Sequence, residues 1–142
     1  MQVTDNNNCN FVRSYGITKV FVTSPNILEI RSSTQYPISS NGVLTYPNLT
    51  ILSEDFFAPN SFTVGNFSLE IDNSNFNVVF NNLSNAFISG KTNDLNVTFA
   101  SGNSRFEGRD LVAQNVKIWN RGSNDMILNP QNEIKGKTYC VL

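Results

Sequence analysis

Apolar and polar residues alternate with a period of two along nearly the whole chain, and the 3.6-residue spacing of an amphipathic helix is absent. Such alternation is the mark of strands that bury one face. It predicts strands at Ile17–Val22, Ile27–Arg31, Leu49–Leu52, Phe62–Val64, Phe67–Ile71 and Phe76–Phe80. Further strands are expected at Ala86–Ser89, Leu95–Phe99, Arg105–Glu107, Val116–Trp119 and Met126–Leu128. Segments this short do not suit a sandwich of long strands. Connectors rich in Asn, Ser, Gly and Pro separate them, as at Ser24-Pro25-Asn26, Asn41-Gly42 and Ser101-Gly102-Asn103.

The spacing of the strands carries the next inference. Phe87, Phe106 and Ile127 fall 19 and 21 residues apart, each near a Gly/Asn corner. Val97 and Ile118 are 21 apart, and Ile30, Ile51 and Ile71 are 21 and 20 apart. A period near 20 in short strands predicts a coil in which equivalent apolar residues stack turn over turn. A leucine-rich repeat has a similar period, but its Leu-x-x-Leu-x-Leu pattern and helical segment are missing. With strands ~4.8 Å apart, about five or six turns would make a stub roughly 25–30 Å long. The expected fold is all-β: a single β-solenoid domain over residues 1–142, with short strands and no linker dividing the chain.

Composition sharpens this picture. Only 15% of residues are charged, and the polar share is made up by 23 Asn, 15 Ser and 10 Thr. Asn tolerates left-handed backbone in tight turns, and in stacked strands its side chains can form ladders. Eleven Phe, four Tyr and one Trp supply a core that a disordered chain would lack.

Charge and hydropathy remove several function classes. The net charge is −1, and the ten Lys and Arg are scattered from Arg13 to Lys137, which argues against a nucleic-acid partner. No apolar run approaches the roughly 20 residues of a transmembrane helix, and the first residues lack the order of a signal peptide. Cys9 and Cys140 are read as separate thiols, because the ends of a coil lie beyond the ~7 Å between Cα atoms that a disulfide tolerates.

The chain has no histidine, so Ser-His-Asp, Cys-His and His-zinc chemistry are all excluded. No catalytic, cofactor-binding or metal-binding residue is assigned. A carbohydrate-active enzyme would need two carboxylates about 5–9.5 Å apart across a cleft. Only Glu54-Asp55 and Glu70/Asp72 are close in sequence. They could form a Ca²⁺-binding patch, but solvated corner residues are the simpler reading. Four Asn-x-Ser/Thr sequons, at Asn48, Asn66, Asn82 and Asn96, match chance for this composition. Tyr36, Tyr46 and Trp119 sit beside turn residues and are candidates to stack on sugar rings, against the plainer expectation that they pack inward.

Two stretches carry a family resemblance. One runs from Pro47-Asn48-Leu49-Thr50 through Ser53-Glu54-Asp55-Phe56 to Phe62-Thr63-Val64-Gly65. The other is Leu111–Lys117 followed by Arg121–Met126 and Asn129-Pro130. From about Asn6 to Gly136 the chain resembles the Bacteroidota family called putative auto-transporter adhesin, head GIN domain. The resemblance implies a right-handed parallel β-helix in an exported, lipoprotein-like protein of the periplasm or cell surface, with no established activity. It also implies a truncated domain, incomplete at both ends, whose coil ends could self-associate.

The function expected on these grounds is a non-enzymatic surface or periplasmic domain for adhesion, scaffolding or carbohydrate binding. Its partner would be a cell-surface glycan or protein. The alternative is a polysaccharide lyase or glycoside hydrolase with an acidic groove.

Overall fold

A computed structural model describes residues 19–57 and 59–139. Seven strands occur in them: β1 (Glu29–Arg31), β2 (Ile38–Leu44), β3 (Asn48–Ser53), β4 (Phe67–Phe80), β5 (Asn85–Phe99), β6 (Arg105–Arg121) and β7 (Asp125–Tyr139). All pairings are parallel within one sheet, in the order β1-β3-β4-β5-β6-β7, with β2 also paired to β4. The fold is the expected β-solenoid, about six turns with a period near 20 residues and no helix among the described residues. Cys9, Cys140 and the start of the predicted strand at Ile17–Val22 lie outside the described residues.

The strands are longer than the sequence suggested. Phe67–Ile71 and Phe76–Phe80 are two arms of one strand, β4, and β5, β6 and β7 are likewise continuous across two arms. Buried positions in β4 run 67, 69, 71, 73 and then 76, 78, 80. That phase slip marks a corner: the strand bends there, and the inward side of the second arm falls on the other parity. β2 and β3 together make the equivalent coil, interrupted at Thr45–Pro47, where the Pro47 carbonyl accepts from the N–H groups of Ser74 and Asn75. β2 has no counterpart among the strands expected from the sequence, because Ser39, Ser40 and Gly42 dilute the alternation.

Inward residues stack in columns. Ile30, Ile51, Val78, Val97, Ile118 and Gly136 are in direct register, as are Leu49, Phe76, Leu95, Val116 and Ile134. Phe80 stacks on Phe99 at 5.7 Å and 8° between planes, and on Phe67 at 5.5 Å and 23°. Each such fully buried side chain contributes about 1.5–3 kcal/mol. Outside, amide ladders follow the same register. Asn77 Nδ2 donates to Thr50 and Asn96 Nδ2 to Asn77, while Asn75 Nδ2 donates to Asn48 and Asn115 Nδ2 to Asp94.

Two of the three predicted spacings change meaning. Ile51 pairs with Val78, 27 residues on, because the corner after β3 is enlarged to residues 54–66; Ile71 belongs to the first arm, beside Gly90. Phe62 and Val64, predicted as a strand, lie exposed in that enlarged corner. Phe87 pairs with Glu107, which in turn pairs with Ile127, whereas Phe106 pairs with Ala86 and Met126. Phe87 is therefore outward and 43% exposed, because a slip of one residue moves a strand side chain to the other face.

Candidate functional site

The first arms of β2, β4, β5 and β6 lie side by side and form one face of the coil. β4 and β5 run in unbroken register there, from Phe67↔Ala86 to Asn73↔Thr92. Their neighbours do not. Ser39↔Ser68 is followed by Val43↔Glu70, so β2 carries two extra residues against β4. On the other side Phe87↔Glu107 is followed by Gly90↔Leu111, and Glu107↔Ile127 by Val112↔Asn129. β6 thus carries one extra residue against β5 and three against β7, around Gly108–Asp110.

Bulges bend a strand, increase its local twist and re-aim its side chains. Here they flank an open trough of about 410 Å³ whose floor is β4 and β5. Gly42, at φ 94°, supplies the left-handed residue that the β2 bulge needs. Ser40 Oγ accepts the Glu70 N–H at 3.0 Å, which ties this bulge to the floor.

Chemistry on the trough is polar with one ring. Ser68 and Glu70 point up from β4, Phe87 and Ser89 from β5, and Arg109 and Asp110 from the β6 wall. Glu107 is held by Arg105 at 2.7 Å and by Arg109 at 3.9 Å, and Arg105 also reaches Asp125 at 3.4 Å. Glu70 and Asp110 make no ion pair among the described residues.

The sequence-predicted acidic patch is not assembled. Glu54 turns inward and is 5% exposed, bonded to Arg31 and to the Phe57 N–H. Burial works against its charge, but the guanidinium and the backbone N–H groups outweigh it and hold its carboxyl below the usual carboxylate range. Asp55 is locked in a reciprocal pair with Asn81, and Asp72 pairs with Lys91 at the bend. Among the described residues no group of three or more acidic or thiol side chains is placed to hold a metal ion.

The predicted aromatic candidates do not form one platform. Tyr36 is 46% exposed in the corner before β2. Tyr46 donates its hydroxyl to the Ser24 carbonyl, and Trp119 packs on Tyr139 at 5.9 Å on the other face. Phe87 is the ring that the trough presents, whereas its spacing with Phe106 and Ile127 predicts an inward, stacked position. Its neighbours gave the signal: Ala86 and Ile88 are both apolar, so Phe87 could not share their face.

Among the described residues no helix is long and apolar enough to cross a membrane. No curated protein and no solved structure matches the chain. The family comparison does: residues 2–140 match the family described as putative auto-transporter adhesin, head GIN domain. With the match spanning nearly the whole chain and the parallel coil agreeing with the expectation drawn from it, this chain belongs to that adhesin head-domain family.

Proposed function

We propose that the chain is a non-catalytic domain of the cell surface or periplasm whose work is to bind a surface macromolecule. The observation that carries this reading is that most of the closely spaced carboxylates are already paired. Glu54, Asp55, Asp72 and Glu107 are all engaged in ion pairs or amide locks. Acid–base cleavage needs a pair with separated protonation states facing one scissile bond. What the fold offers instead is a stiff, mostly uncharged surface with an open trough, suited to contact rather than turnover. The family description, an adhesin head, points the same way and supports a surface or periplasmic address.

Beads coated with the chain should be retained on cell-envelope material, and the chain should release no product from a panel of polysaccharides. Reducing ends or unsaturated products above a denatured-protein control would overturn the reading. One observation favours an enzyme: Glu70 and Asp110 face the same trough without ion-pair partners among the described residues. Loss of any such release in Glu70→Gln or Asp110→Asn would identify those two as its acid and base.

A further inference from the structure

We infer that the trough on the first-arm face is a glycan subsite, taking a neutral oligosaccharide that lies along the strands with a sugar ring on Phe87. This deepens the binding-domain reading and rests on it.

The direction follows from the walls. β2 and β6 carry the extra, bulged residues, while β4 and β5 between them stay in register. Three strand spacings separate the walls, roughly 14 Å between their backbones. A depression flanked by bulges on both sides has its free length along the strands. An extended chain one sugar wide fits it in that direction only, and the trough volume of about 410 Å³ is at the low end for small-molecule sites.

The ligand class follows from the side chains. Phe87 is 43% exposed in the middle of a polar floor, although a position between Ala86 and Ile88 on a surface strand has no packing need for an aromatic ring. A ring there offers an apolar face to the C–H face of a sugar. Around it stand hydroxyls from Ser68 and Ser89 and acceptors from Glu70 and Asp110, the groups that pair with vicinal hydroxyls. Among the described residues Arg109 is the one cation on the lining, and it also faces Glu107. The trough is therefore net negative, which disfavours uronic acids and sulfated sugars and admits neutral hexose or pentose chains. A flat protein partner would be met poorly by a recessed floor, while a lipid surface would find a charged rim.

Titration of the folded chain with cellohexaose, laminarihexaose, xylohexaose, mannohexaose and hexagalacturonate tests this. At least one neutral probe should bind, and hexagalacturonate should bind at least tenfold more weakly. Phe87→Ala should weaken the neutral probe about tenfold. Phe87 is exposed, so that variant should keep the parent's circular dichroism and unfolding midpoint. Trp119→Phe, on the other face, should bind like the parent. Affinity unchanged in Phe87→Ala, or hexagalacturonate bound as well as the neutral probes, would overturn the subsite while leaving glycan binding itself intact. If no probe binds but the coated beads are still retained on envelope material, the glycan inference fails and the binding-domain reading survives with a protein partner.

Discussion

The two arms of each coil use the same strands but obey different rules. On the second-arm face, Asn75–Phe80, Asp94–Phe99 and Asn115–Asn120 follow one another without a skipped residue. Their outward amides and hydroxyls form ladders, and their inward side chains form the Ile/Val and Phe columns. On the first-arm face the register slips between β2 and β4, between β5 and β6, and between β6 and β7. The enlarged corner at 54–66 also leads into that face, with Phe56 and Phe57 78% and 81% exposed. Regularity gives a parallel coil its stability, since every in-register step buries one more apolar side chain and satisfies one more amide. Each slip gives up some of that, and the slips are concentrated where the trough lies. A rigid wall therefore carries a shaped one.

The comparison breaks most severely at the Phe column. Phe80→Ala removes the middle ring between Phe67 and Phe99 and should cost about 3–5 kcal/mol in urea unfolding. If the loss were under about 1 kcal/mol, the column would not be the stabilising element claimed for it.

Two glycines, both on the first-arm face, test its packed floor against its open wall. Gly90, at φ 102°, passes so close to β4 that a Cβ would collide with the Ile71 carbonyl oxygen, and Gly90→Ala should cost about 2–4 kcal/mol. Gly42, at φ 94° on the trough wall, would place the same methyl in open space, so Gly42→Ala should cost only the backbone strain, about 1 kcal/mol. Equal midpoint shifts would show that the close approach of coils is unimportant.

A smaller effect is expected at the root of the enlarged corner. Glu54→Gln should cost about 1–2 kcal/mol at neutral pH, discounted because the Arg31 side chain is 36% exposed. The Glu54 carboxyl lies below its ordinary value of 4.5 in the folded chain. Its contribution is thus full above 4.5 and is lost as pH falls through the depressed folded value. The gap between parent and variant should be constant from pH 6 to 8 and close in acid; a gap that widens on acidification would contradict the sign.

The smallest change is on the regular exterior. Asn77→Ala breaks ladder bonds to Thr50 and Asn96 and should cost about 0.5–1.5 kcal/mol, with no effect on binding in the trough. A loss of ligand affinity in that variant would mean that the two faces are coupled.

Much of the fold was legible because a solenoid repeats its instructions. Alternation named most of the strands, the Val97–Ile118 and Ile30–Ile51 spacings were true register pairs, and Asn marked the exterior ladders. The missing histidine settled a whole class of chemistry from composition alone. The repeat spacing misleads at Phe87, because an average period near 20 cannot distinguish 19 from 20, while one residue reverses a strand side chain; only the local alternation with Ala86 and Ile88 gives its face. Nor could the sequence show that Ile51 stacks on Val78 across a 27-residue step, since an enlarged corner leaves no trace in apolar spacing. The trough is the extreme case: its lining comes from four coils, and it exists because bulges in β2 and β6 stand on either side of two strands that have none. Local pattern determined which residues face in or out along each arm. Only the stacking of turns decided which outward residues meet.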